Sequence, residues 1–167
     1  MTQHLELADV EWRRVSPKLI VAQLIGDGIG AVVMLGLTGL LHVFFPEWRI
    51  LGIPVAWTVT IIVALATLIP LALTPRRVRA IGYQLRDDDL LFRRGILFQR
   101  FVAVPYGRMQ LVDINRGPLS RALGLSELKF VTAAAATGVT IPGLPEAEAD
   151  RLRDELVELA ESRRAGL

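Results

Sequence analysis

The chain has 167 residues, 52% hydrophobic and 22% charged, with a mean hydropathy of +0.44 and a formal net charge of +2. It has no cysteine and only two histidines, His4 and His42, which excludes disulfides, thiolate nucleophiles and cysteine zinc sites and argues against a histidine-rich metal centre. A sequence this apolar and this charged has separated the two along its length, as when a membrane part is joined to a water-facing part.

Residues 1–18 form a cytoplasmic N-terminal segment. From Leu19 to Phe45 the only ionisable side chains are Asp27 and His42, and from Ile50 to Leu73 there are none. Each stretch exceeds the roughly 20 residues needed to cross a hydrocarbon core of about 30 Å. The pattern predicts a transmembrane hairpin over 19–75, with helices over about 19–45 and 50–73. "PEWR", Pro46 to Arg49, reads as a tight connection between antiparallel helices, and Pro75 as the stop of the second.

Arg13, Arg14 and Lys18 precede the first helix, and Arg76, Arg77 and Arg79 follow the second. The connection holds only Arg49. The positive-inside rule therefore predicts a multi-pass protein of the inner membrane with both termini in the cytoplasm. Trp12 and Trp48 fall at opposite interfaces, and His42 faces the outer one. A signal peptide does not fit: the apolar core exceeds the roughly 7–15 residues usual for one, and no A-x-A site follows.

Within the first helix, "LIGDGIG" carries an acid between glycines. It lacks the spacing and the strand–helix setting of a dinucleotide loop. Gly26 and Gly30 stand four apart on one face, the small-xxx-small pattern that admits a second helix backbone. A bare charge at Asp27 would cost several kcal/mol, so it must be neutral, paired or turned to protein. A tight turn near Glu47–Arg49 sets its depth against Thr67 to Pro70. The proline leaves the Ala66 carbonyl without its helical donor, and a neutral Asp27 can donate there or to Thr67. The alternative is a proton or ion pathway, which normally needs more than one polar group per helix.

From Arg76 to Lys129 the net charge is about +6, and from Pro145 to the end about −3. Positive charge beside a membrane is drawn to its anionic leaflet by on the order of 1 kcal/mol per basic residue. Arg76, Arg77, Arg79, Arg93 and Arg94 are the expected weak membrane-surface contacts. Strand signals then follow: "IGYQL", the turn "RDDD", "LLFRR", a turn at Gly95, and "ILFQRFVAV". "MQLVDINR" alternates, with Gln110, Val112 and Ile114 opposite Asp113 and Asn115. "GPLSRALGL" reads as a short helical turn with Pro118 at its first position and Gly124 as a left-handed cap. "ELKFVT" and "GVTIP" are strands around a hairpin loop, "AAAATG". A closing helix is expected over about 145–163, with Ala149, Leu152, Leu156 and Leu159 as its apolar stripe.

Four spaced motifs carry a resemblance. "Y-x-L-x-D-x-x-L-x-x-R-R-G" (Tyr83 to Gly95), "V-P-Y-x-R-M-Q-x-V-D-I" (Val104 to Ile114), "G-P-L-x-R-x-L-G-L" (Gly117 to Leu125) and "I-P-G-L-P" (Ile141 to Pro145) resemble the bacterial pleckstrin-homology-like family of YdbS type. The resemblance implies an α+β membrane protein. In it a two-helix transmembrane hairpin is followed by a PH-like β-sandwich or open barrel, residues 76–167, capped by the C-terminal helix. It makes Arg108, Gln110, Asp113, Gly117, Pro118 and Gly124 structural motif residues and carries over no catalytic or ligand motif. Relatives with several such domains suggest assemblies, as a homo-oligomer or with a related PH-like membrane protein.

Phosphoinositide-binding PH domains use a basic loop between their first two strands. Here that loop is Arg86-Asp87-Asp88-Asp89, unsuited to a phosphorylated inositol. Ser16, Ser120, Ser126 and Ser162 have no histidine near them in the sequence, and three adjacent aspartates in a hairpin turn diverge rather than hold a metal. The arginines lack the interleaved aromatics of a nucleic-acid platform. The expectation is a non-enzymatic membrane-anchored interaction or scaffold module, without cofactor, metal or nucleic acid. The alternative is a transport or proton-linked component using Asp27.

Overall fold

The computed structural model describes residues 11–50, 52–132 and 138–165. In chain order these form β1 (Arg13–Arg14), α1 (Lys18–Phe44), β2 (Arg49–Ile50), β3 (Ile53–Pro54) and α2 (Val55–Arg79). Then come β4 (Gly82–Leu85), β5 (Asp89–Arg94), β6 (Arg100–Pro105), a 3-10 turn (Tyr106–Arg108), β7 (Met109–Asn115), α3 (Pro118–Ala122), β8 (Leu125–Thr132), β9 (Val139–Pro145) and α4 (Glu146–Ala165). The chain divides into two compact units. Ile20–Pro75 is one, and the described residues up to Leu19 together with those from Arg76 onward make the other.

In the first unit, α1 and α2 have 27 and 25 residues, about 40 Å and 38 Å of helix. Only 17% and 6% of their most apolar windows are buried within the chain, which is not how the core helix of a soluble domain behaves. Val32, Val43, Ile29 and Trp57 point outward, as hydrocarbon-facing side chains do.

The connection is longer than the tight turn the sequence predicts. Arg49 pairs with Pro54 and Ile50 with Ile53 in a two-stranded ribbon, with Gly52 at φ +82. The second helix therefore begins at Val55, not near residue 50. It also runs through Pro70 and Pro75 to Arg79 rather than stopping at Pro75. A proline removes one N–H, and a helix supported by its surroundings in a membrane tolerates that loss. The longer connection shifts the pairing of the two helices: Asp27 meets Thr74, one turn beyond Pro70.

The second unit holds two antiparallel sheets, β1-β4-β5-β6 and β7-β8-β9. β4 and β5 are joined by the predicted turn, closed by Arg86 N–H donating to the Asp89 carbonyl at 2.9 Å. Tyr83, Leu90 and Val104 from the first sheet and Leu128, Phe130 and Ile141 from the second are fully or almost fully buried. α4 covers them with Ala149, Leu152, Leu156 and Ala160. Ala160 completes the stripe in place of Leu159, which is only half-buried, because 156 and 160 are one turn apart.

Two features differ from the sequence reading. Residues 11–18 are not separate from the domain: Arg13 pairs with Tyr83 and Arg14 with Gly82, so β1 is the edge strand of the first sheet. The strand expected from Ile96 begins only at Arg100, and residues 95–99 form a loop. Residues 133–137 of the hairpin loop expected at "AAAATG", residues 1–10 with His4, and the side chain of Gln110 lie outside the described residues.

Candidate membrane-facing and interaction surfaces

Arg76, Arg77 and Arg79 are exposed in the last turn of α2, where cations complement the helix dipole. Arg94 is exposed at the end of β5. Arg93 is half-buried, its guanidinium 4.5 Å from the centre of the Trp12 ring. Trp12 does not stand free as an interfacial anchor. It lies against Gly82, where an added Cβ would sit 3.2 Å from its Cε3, and 6.2 Å from the Phe101 ring. Arg93 pairs with Gly82, which stands three residues beyond the basic end of α2.

The family-motif residues fall on the 3-10 turn, on β7 and around α3. Gln110 lies at an irregularity in the β7–β8 register, between Met109 and Leu111. Asp113 is exposed opposite Lys129, and Arg108 is exposed at the end of the 3-10 turn. Gly117 precedes α3 and Pro118 opens it. Gly124 takes the left-handed conformation at φ +67, and its carbonyl accepts the Glu146 N–H at 3.3 Å, joining this motif to the start of α4.

Gly143 matters twice. Its φ of +70 favours glycine, and a Cβ there would lie 2.7 Å from Leu19 Cδ2. Its carbonyl accepts the Ser16 N–H at 2.9 Å.

Sequence reasoning missed the polar anchors of this unit. The buried Tyr83 hydroxyl donates to Glu148 Oε1 at 2.5 Å. Burial, and next the bonded carboxylate, push this phenol well above its ordinary range. The buried Tyr106 hydroxyl donates to the Arg86 carbonyl at 2.8 Å, and burial pushes it up to about 12. Arg116 donates to the buried Ser126 at 2.9 Å and to Asp150 at 3.2 Å, tying the second sheet to α4. Both tyrosines stand in the quoted motifs, the one signal that marked them.

The acidic turn is held by ion pairs. Arg163 meets Asp88 at 2.6 Å and donates to the Asp87 carbonyl at 3.0 Å, while Arg86 lies 4.0 Å from Asp89. The carboxylates thus go to different partners. Among the described residues no three His, Cys, Asp or Glu side chains converge as metal ligands.

In the hairpin, Thr74 Oγ1 lies 3.3 Å from Asp27 Oδ2 and 3.0 Å from the Pro70 carbonyl. A hydroxyl has one proton, so Thr74 can donate to Asp27 or to the Pro70 carbonyl, not fully to both. Thr67, the partner expected from sequence, donates instead to the Val63 carbonyl of its own helix at 2.8 Å. An added Cβ at Gly26 or Gly30 would meet nothing within 4 Å, so the glycine face is not filled by α2. His42 faces α2 rather than the outer interface: it lies 3.1 Å from Thr60 Oγ1 and edge-on to Trp57 at 4.8 Å.

The family model of the bacterial PH domain matches residues 20–160, across hairpin and domain alike. The chain belongs to the bacterial PH domain family. Among curated proteins, this bacterial PH domain chain is similar to the transmembrane protein YdbS of Bacillus subtilis (strain 168). The two are 40% identical over 78 residues, 47% of this chain and 48% of that protein. The match thus spans about half the length of the curated relative. No solved structure matches significantly. The bacterial PH domain chain is therefore a YdbS-like membrane protein, with two helices long and apolar enough to cross a membrane and an α+β domain.

Proposed function

We propose that this chain is a non-enzymatic, membrane-anchored interaction module at the cytoplasmic face of a bacterial membrane. Its PH-like domain binds copies of itself or a related PH-like membrane protein. The observation that carries the reading is the pairing of β1 with β4. β1 precedes the hairpin and β4 follows it, so a sheet containing both is compatible only with an even number of crossings. The basic residues at both ends of the hairpin, against Arg49 alone in its connection, support the cytoplasmic side.

Interaction is favoured over catalysis because Tyr83, Tyr106, Ser126 and Arg116 are all engaged in holding the fold. The open face at Gly26 and Gly30 suits a second hairpin. The basic residues favour weak, headgroup-independent contact with anionic lipid. The turn held by Arg163 is no phosphoinositide site.

Single cysteines at Thr2, Glu47 and Gly166, probed in whole cells with an impermeant thiol reagent, test the topology. Labelling at 47 alone is expected, and labelling at 166 refutes it. The mass of the detergent-purified complex tests the assembly. A mass above that of one 18.4 kDa chain is expected, and a lone monomer refutes it.

A further inference from the structure

β5 ends at Arg94 and β6 begins at Arg100. The loop between them exposes Leu97 by 87% and Phe98 by 92%, with Ile96 beside them at 37%. This is not a frayed strand end. Gly95 has φ +111, and a Cβ on it would lie 2.0 Å from the Phe98 carbonyl oxygen, so the backbone folds tightly back on itself and presents the two side chains outward. Leaving them in water forgoes the burial that large apolar side chains ordinarily obtain.

The surroundings specify the occupant. From Leu90 to Val112 there is no carboxylate, and Arg93, Arg94 and Arg100 flank the tip. Among the described residues none of the three forms an ion pair. Gly138 and the first residues of β9 in the other sheet, Val139 and Thr140, all uncharged, line a cleft of about 410 Å³ beside Phe98. An apolar tip in a cationic collar matches the boundary between anionic headgroups and acyl chains, not an aqueous acidic surface.

Position agrees. Arg93 pairs with Gly82, and Gly82 follows the last residue of α2 by three positions, a reach of at most ~11 Å. β4 runs from that end to the acidic turn, so the apolar tip and the acidic turn lie at opposite ends of the β4–β5 hairpin.

We propose that the Ile96–Leu97–Phe98 tip is a membrane wedge. It inserts into the interface of an anionic bilayer, with Arg94 and Arg100 on lipid phosphates. The wedge rests on the anchored reading above only in taking the bilayer as the surface in reach.

The chain has no native cysteine, so single fluorophores can be placed on the full-length protein in nanodiscs containing phosphatidylglycerol. They go at Leu97→Cys, at Ile61→Cys on the outward face of α2, and at Asp87→Cys in the acidic turn. Lipid-borne spin labels near the headgroup and an aqueous quencher are then compared. Lipid quenching at 97 several-fold above that at 87, and weaker in nanodiscs of phosphatidylcholine alone, is the expected result. Quenching at 61 with position 97 behaving like 87 overturns the wedge and leaves the anchor standing. No lipid quenching at 61 overturns the anchor itself. A position 97 shielded from both quenchers means that protein covers the tip, which also overturns the wedge.

Discussion

Tyr83→Phe isolates one hydroxyl. Phenylalanine keeps the ring in its fully buried site, so no cavity term arises, and the change removes only the donor to Glu148 at 2.5 Å. A hydrogen bond to a charged acceptor contributes about 1.5–3 kcal/mol. Glu148 is half-buried and recovers water when the phenol is gone, which puts the expected loss at the low end, ~1.5 kcal/mol. Glu148→Gln retains an acceptor without its charge and should lose about half as much. In a double-mutant cycle the two should couple by about 1 kcal/mol.

The assay is denaturant unfolding in detergent, followed through Trp12 with Trp48 and Trp57 replaced by phenylalanine. The pH dependence gives a second signature. Tyr83's folded pKa is raised above its ordinary value of 10.0, so its contribution is complete below pH 10 and falls away as pH rises from there through the folded value. Tyr83→Phe should flatten that alkaline decline. A coupling below ~0.5 kcal/mol, or an unchanged alkaline slope, would refute the assignment of this bond as an anchor of α4.

Gly143→Ala forces a side chain into Leu19 and strains a positive φ, so it should cost about 1–3 kcal/mol and speed amide exchange at Ser16 together with β9. Asp27→Asn should keep assembly in detergent, since its amide oxygen retains an acceptor for Thr74. Asp27→Leu and Gly30→Leu should each shift the sedimentation profile toward smaller species, and an unshifted profile for both would remove the proposed helix contact.

The hairpin is legible because ionisable side chains are sparse in one long run and absent from the other, a signal that survives any misplacement of the helix ends. The ends were not legible. Prolines at 54, 70 and 75 look like helix punctuation, yet the second helix starts after the first and continues through the other two. β1 left no trace because two arginines carry no alternation, and their strand character comes only from the β4 edge. The apolar run at 96–98 reads as strand on composition, and the conformation of Gly95 overrides it. The acidic turn was recognised in place, but its partner Arg163 sits at the far end of the chain, beyond any local pattern. The motif resemblance covers the strands and the closing helix but leaves the role of the buried tyrosines unread.

The β1 strand makes the membrane segment an insertion within the domain rather than a leader in front of it. The ribosome releases Trp12 to Leu19 first, and their partners Gly82 and Gly143 appear only after both helices have been made. The domain's sheet is thus a late, non-local closure, slow in the way that distant strand pairings are. A chain whose second helix failed to cross would leave β1 on the opposite side of the bilayer. β4 would then present a bare edge, the kind of surface that draws aggregation and proteolysis. On the hairpin topology proposed above, the fold would act as a check on its own insertion, since β1 reaches β4 only when both helices cross.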